Sequence, residues 1–289
     1  MTPPPLSVSL IGLEVGPLVH VIDARWLMAY AAGLGETAAC YFDTARPGGP
    51  AAHPLFPVCY EWPAALALRA KLLDETAAVR GVHLTHRLAV HRAPVAGDRL
   101  ATTARVAAIE PNRAGAHVTV RLVTVDASGA PITTTDYGSL YRDVEIAGPA
   151  TPGPGPASTS SAGRRDVAPG AAAEAEEIAV AAHAAHVYTE CARIWNPIHT
   201  DAAVARAAGL PGPILHGTAT LALAVGRIVA RDLDGVPGRV RAVAARFSGM
   251  VPLPTRLALR RRPPAGDRLA FDVTRPDGHA VLSEGVVIT

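Results

Sequence analysis

A long helical segment followed by alternating apolar and polar segments occurs twice in this chain. That repeated order narrows the folds open to it. In the first pass, apolar positions over 6–22 precede Asp23, which is suited to capping a helix over 24–31. A helix over about 58–74 follows, with Leu66, Leu68, Leu72 and Leu73 among many alanines. The period then drops to two. Segments 82–92, 99–109, 116–126 and 131–142 alternate and are parted by Gly-, Pro- and Asn-containing turns. In the second pass a strand-like segment at 176–182 precedes a loop at 188–200, a short helix at 201–208 and a longer one at 217–232. Strand-like segments at 239–248, 254–262, 267–275 and 279–288 complete it.

Ala96-Gly97-Asp98-Arg99-Leu100-Ala101 even returns as Ala265-Gly266-Asp267-Arg268-Leu269-Ala270. Gly-Asp between strands is an ordinary hairpin turn, so its weight rests on its place: it is read as the same point of the same element order. Helix first and meander second is an α+β layering, here in two copies. The expected division is 1–146 and 176–289, joined by a linker over 147–175 in which Pro, Gly, Ser and Ala replace large apolar residues.

With 49% hydrophobic and 18% charged residues over 289 positions, each copy can bury a core. The net charge of +2 gives no reason to invoke nucleic acid, and Arg260-Arg261-Arg262 reads as a solvated strand edge. No apolar run reaches the roughly 20 residues of a membrane span. Pro3-Pro4-Pro5 stands where a signal peptide would carry basic residues, so a cytoplasmic protein is expected. Cys40, Cys59 and Cys191, odd in number and far apart, read as reduced thiols and not as a disulfide or metal framework.

Chemistry concentrates between Tyr188 and Leu221. Asn196-Pro197-Ile198-His199 forms a turn that presents an imidazole, and His216-Gly217 opens an apolar helix. The free N–H groups of a helix start, with the helix dipole, can hold an anionic oxygen. His199 is the proton-transfer candidate, Asn196 positions it, and the Gly217 N–H is placed to polarise a carbonyl. Tyr188 and Trp195 read as pocket walls, Arg193 as a binder of carboxylate or phosphate or a solvent-facing residue, and His216 as a brace. Asp201 reads as the cap of the short helix.

These residues resemble the MaoC-like, (R)-specific enoyl-CoA hydratase family in its fused, double hot-dog form. That family's loop reads Tyr-x-x-x-Ser-Gly-Asp-x-Asn-Pro-Leu/Ile-His; this chain reads Tyr188-Thr189-Glu190-Cys191-Ala192-Arg193-Ile194-Trp195-Asn196-Pro197-Ile198-His199. The resemblance implies two antiparallel sheets, each wrapped around a long helix, and a lyase acting on an enoyl or 3-hydroxyacyl thioester of coenzyme A or an acyl carrier protein. It implies no cofactor, a monomer or homodimer, and a first copy that accommodates the acyl chain. The departure is at the acid: Ile194 stands at the catalytic Asp position, Arg193 at the Gly and Ala192 at the Ser. An isomerase or cyclase of a polyketide-like intermediate, or a non-catalytic acyl-binding partner subunit, are the alternatives that this change opens. In the first copy Glu36 stands near the acid position and Tyr41 near the histidine position.

Overall fold

The computed structural model describes residues 3–148 and 174–289, so nearly all of the stretch read as a linker lies outside the described residues. Along the chain come β1 (Leu6–Ser7), β2 (Glu14–Val21), α1 (Ala24–Gly33), α2 (Pro57–Leu72), α3 (Glu75–Ala78), β3 (Gly81–Val90), β4 (Arg99–Asn112), β5 (Gly115–Val125), β6 (Pro131–Arg142) and β7 (Ile146–Ala147). Then follow β8 (Glu174–Val180), α4 (Ala184–Ala192), α5 (Ala202–Ala207), α6 (Gly217–Asp232), β9 (Ala242–Phe247), β10 (Thr255–Arg261), β11 (Arg268–Thr274) and β12 (Ala280–Ile288). Among the described residues no helix is long and apolar enough to cross a membrane.

By contact the chain forms two compact units, and neither is one stretch of sequence. One gathers residues 3–20, 60–92 and 99–148; the other gathers 21–59, 93–98 and 174–289. Residues 21–59 join the second unit because α1 packs on α4. A Cβ added at Gly33 would come within 2.8 Å of the Cys191 Cβ, so the small residue sets the approach.

In the first unit the strands run in the order β2-β4-β5-β6-β3, and β1 pairs with β7 in parallel. Every other residue of β5 is buried, the period-two signature of a sheet with one face covered. Ala64, Leu68 and Leu72 of α2 share that core with Val106, Ile109, Val118 and Leu122. One carboxylate is sunk into it. Glu61 accepts from Thr133 Oγ1 at 3.1 Å and from Thr135 Oγ1 at 2.8 Å, and burial pushes its pKa up to about 7. The folded chain therefore keeps a proton that the unfolded chain releases as pH climbs from about 4.5, and stability from this group falls until about pH 7 and then levels off. The expected loss is about 3 kcal/mol. Thermal unfolding of wild type and Glu61→Gln at pH 5 and pH 8 checks it: the variant should lack this part of the decline.

In the second unit the order is β8-β10-β11-β12-β9. Helix α6 buries Leu221, Val225, Ile228 and Val229 along one stripe. This order is that of the first unit strand for strand: β2 answers to β8, β4 to β10, β5 to β11, β6 to β12 and β3 to β9. The duplication is thus a property of the topology. The shared hexapeptide is not part of it. Its first instance leads into β4 and its second into β11, which do not correspond. What the two share is turn chemistry, glycine at positive φ (97° at Gly97, 63° at Gly266) just ahead of a strand.

A second correction concerns the loop. Residues 184–192 form α4, so Tyr188 lies on a helix and the irregular segment begins at Arg193.

Candidate active site

Helix α4 carries Tyr188 into the interior, where its hydroxyl donates to Thr218 Oγ1 in the first turn of α6 at 3.1 Å. Tyr30 of α1 donates to the Leu55 carbonyl at 3.1 Å and lies 3.4 Å, oxygen to oxygen, from Tyr188. Burial raises both tyrosines well above their usual pKa, so both stay protonated and act as donors. Tyr188 therefore pins α6 to α4 and acts as a brace.

Arg193 ends α4 in the left-handed region at φ 57°. A side chain there costs about 1–2 kcal/mol where glycine would cost nothing. Its guanidinium lies 4.0 Å from the centre of the Trp26 ring, a cation–π contact that returns about 0.5–1 kcal/mol. Arg193 thus stacks on an aromatic face. Ile194 follows, 4% exposed, with its N–H on the Thr189 carbonyl at 3.1 Å.

Asn196 then opens a single 3-10 turn over Pro197–His199, and Asp201 caps α5 by accepting from Ala203 N at 2.7 Å and Val204 N at 3.1 Å. The turn swings the His199 ring inward to stack on His216 at 3.7 Å between centroids. His199 Nδ1 lies 2.8 Å from the Ile214 carbonyl oxygen. A carbonyl only accepts, so Nδ1 carries the proton and Nε2 keeps a lone pair: the tautomer of a base. Burial pushes the His199 pKa down to about 4 despite that bond, so the ring is neutral at pH 7. Burial, with His199 alongside, takes His216 down to about 2. His216 Nε2 shares a hydrogen bond with Thr189 Oγ1 at 3.2 Å. Two stacked neutral imidazoles, one braced and one able to take a proton, result.

His216 is also the N-cap residue of α6, and its side chain makes no cap bond. The first i to i−4 bond of the helix is Thr220 N–H to His216 O at 3.0 Å. The N–H groups of Gly217, Thr218 and Ala219 precede it and lie at the positive end of a 16-residue helix. Gly217 has a packing reason too: a Cβ there would meet the Phe247 ring at 3.0 Å. Gly217→Ala is expected to cost about 1–3 kcal/mol by overpacking, read as a lowered Tm.

Ile194, His199, His216 and Gly217 therefore converge, whereas Trp195 does not join them. It is 59% exposed. With Asn196, His186, Thr189, Glu190 and Thr200 it lines a separate cavity of about 320 Å³ whose lining includes neither His199 nor Gly217. Among the described residues no group of three or more His, Cys, Asp or Glu side chains is placed to hold a metal, and the three cysteines are unbridged.

The reading from sequence placed Glu36 and Tyr41 at the acid and histidine positions of the first copy but missed His53 as their neighbour. Glu36 Oε1 stands 3.8 Å from His53 Nε2, with Tyr41 beside the imidazole. The signal for the first two was spacing: Glu36 and Tyr41 follow Tyr30 at the intervals at which Ile194 and His199 follow Tyr188. Both segments end in a three-residue 3-10 turn, Ala39–Tyr41 and Pro197–His199.

Comparison with known proteins bears on the domains and the fold. Residues 166–262 match the family model described as MaoC like domain, and residues 9–135 match that described as FAS1-like, dehydratase domain region. A 78-residue stretch, 26% of the chain, is 44% identical to 4% of the fatty acid synthase subunit beta of Aspergillus oryzae. A 53-residue stretch, 18% of the chain, is 42% identical to 17% of the peroxisomal enoyl-CoA hydratase 2 of Arabidopsis thaliana. The chain thus aligns with less than a fifth of the length of these curated relatives. The solved structure of a MaoC-like dehydratase from Phytophthora capsici superposes with a TM-score of 0.84 at 19% identity, over 96% of this chain and 95% of that one. A Mycobacterium tuberculosis protein described as having a double hotdogfold superposes with a TM-score of 0.62 at 17% identity, over 96% and 95%. The fold is the α+β double hot-dog, carrying a MaoC like domain over residues 166–262 and a FAS1-like dehydratase region over residues 9–135.

Proposed function

We propose that the chain is a hydratase/dehydratase acting on an enoyl or 3-hydroxyacyl thioester, with His199 as its proton-transfer group. The observation that carries this is the His199 Nδ1 bond to Ile214 O, which leaves Nε2 as a base beside the N-terminus of α6. The thioester carbonyl oxygen sits at the Gly217 end, where its charge rises as the enolate forms. Water adds at the β carbon: its oxygen forms the new C–O bond, its proton passes to Nε2, and that proton then goes to the α carbon. The reverse sequence expels water. Asn196 shapes the turn that delivers the imidazole, and Tyr188, Ile194 and His216 enclose it.

The reaction runs here without a carboxylate at position 194, so the base alone orients the water. The relatives named above as enoyl-CoA hydratase and fatty acid synthase support an acyl thioester on coenzyme A or an acyl carrier protein. The double hot-dog fold supports one chain carrying both copies, as monomer or homodimer. A second reading follows from Ile194 itself. A buried apolar side chain where the acid would hold water favours isomerisation or cyclisation of a polyketide-like acyl chain, in which water takes no part. A non-catalytic acyl-binding subunit is the third.

Incubation with panels of trans-2-enoyl-CoA and (R)-3-hydroxyacyl-CoA of graded length, followed by absorbance of the conjugated thioester, separates them. Turnover in either direction supports the first reading. Tight binding with no loss or gain of conjugation at any chain length overturns it.

A further inference from the structure

The loop of the first copy ends in a polar cluster that the reaction above does not use. Glu36, Tyr41 and His53 belong to the same compact unit as His199 and α6. His53 is 1% exposed; its Nδ1 accepts from Leu55 N at 3.1 Å, so its Nε2 carries the proton and faces the Glu36 carboxylate. Burial pushes the imidazole down to about 3, so it stays neutral. Tyr41 is also 1% exposed, and its buried hydroxyl has no hydrogen-bond partner among the described residues. The Glu36 side chain is 16% exposed and is the one member in contact with solvent. Burial raises the Glu36 pKa above the usual carboxylate range, and Arg227 of α6 is the cation that opposes this shift.

This cluster is built into the helix. A Cβ at Gly226 of α6 would fall 2.1 Å from Glu36 Oε1 and 3.4 Å from His53 Nε2, so the carboxylate occupies the space that a side chain would take. Gly226 is not at a positive φ, so the backbone does not require glycine there.

The cluster lacks the means for thioester chemistry. Pro57, the first residue of α2, has no N–H, and the next two N–H groups, of Val58 and Cys59, are taken by Leu55 O and Phe56 O. No free donors await an oxyanion there, in contrast to α6. A buried donor, a hydroxyl without a partner and a carboxylate acceptor without an oxyanion hole make a binding site for a neutral group that both donates and accepts.

Resting on the function proposed above, we propose that Glu36, His53 and Tyr41 form a specificity site for a hydroxyl group carried far along the acyl chain. Gly226 is nine residues along α6 from Gly217, about 13 Å at 1.5 Å per residue. Gly226 lies about two and a half turns from Gly217 and so faces the other side of α6, but the free N–H groups point out of the helix end along its axis. A chain anchored there by its carbonyl and laid down the Gly226 side spans that distance in about ten carbons, given C–C bonds of about 1.5 Å. The substrate class is then a medium-chain acyl thioester hydroxylated near carbon 11 or 12.

Isothermal titration with dodecanoyl-CoA and 12-hydroxydodecanoyl-CoA tests this without requiring turnover, so a failed assay for hydration leaves it decidable. The hydroxylated ligand is expected to bind about tenfold tighter to wild type, the upper end of what one net hydrogen bond contributes. Glu36→Gln, which keeps an acceptor, should retain most of the preference. Glu36→Ala and Gly226→Ala, the latter displacing the carboxylate with a single methyl, should reduce the ratio to about one. Equal binding of the two ligands to wild type, the result if the cluster holds only water, overturns the proposal. A preference that survives Gly226→Ala also overturns it.

Discussion

His199→Ala lowers kcat/KM for an enoyl thioester by about 10²–10⁴-fold, the range expected when a positioned general base is removed. The same change leaves the Ile214 carbonyl without its donor and His216 without its stacking partner. An unsatisfied buried acceptor costs about 1–3 kcal/mol of stability, so loss of activity alone would not identify the base. His199→Asn separates the two. Its amide can donate to the Ile214 carbonyl, yet it takes up no proton near neutral pH. If His199 is the base, the Asn variant melts close to wild type and is as inactive as the Ala variant. The pH profile gives a further check. Burial holds the imidazole at about 4, so kcat/KM of wild type should stay flat down through pH 6 and fall only as pH approaches 4. An unperturbed histidine would lose activity from about pH 6.5. Turnover in His199→Asn equal to wild type would remove His199 from the chemistry.

Much of this architecture is written locally. Asp23 and Asp201 cap α1 and α5 through their own side chains, and such signals need no tertiary partner. Helix α6 has the bounds read from its apolar stripe, and β3–β6 and β8–β12 fall where the strand-like segments were read, whereas β1, β2 and β7 were not read as strands. Helix α4 escaped for a physical reason. Its buried residues, Ala185, Tyr188, Thr189 and Ala192, keep helical spacing, but only one is large, so the stripe barely rises above a polar loop. The hexapeptide misled in the opposite way. Gly-Asp ahead of a strand is a local solution to a local turn, and it recurs without common position. In the site, the Asn-Pro-Ile-His turn and the His-Gly helix start were legible because each is a short motif with its own backbone geometry. The stacking of His199 on His216, the cation–π contact of Arg193 with Trp26 and the approach of Glu36 to His53 were not. They join residues 17 or more positions apart on separate elements, or depend on a glycine in a third element, and no spacing rule contains that information.

Ile194→Asp is expected to raise hydration of an enoyl thioester by about 10²–10⁴-fold, the contribution of one general acid/base partner. The substitution places an acid where the sequence resemblance expects one, in a loop whose histidine, asparagine and helix start are all present. It also carries a penalty. Ile194 is 4% exposed, so the new carboxylate is desolvated, its pKa rises, and its apolar contacts are lost. A cost of about 2–4 kcal/mol in stability is expected for replacing a buried aliphatic side chain by a polar one. The two effects have opposite signs in different measurements: activity rises while Tm falls. The raised carboxyl pKa fixes the pH dependence of the gain, which should appear as pH rises through that pKa and vanish below it, where the protonated acid no longer accepts from water. Ile194→Asn, of similar size and polarity but without a titrating group, should lower Tm as well and return much less of the rate. If Ile194→Asp melts earlier yet hydrates no faster than wild type, the segment no longer needs an acid. The pocket then belongs to a reaction in which the acyl chain, and not water, is rearranged.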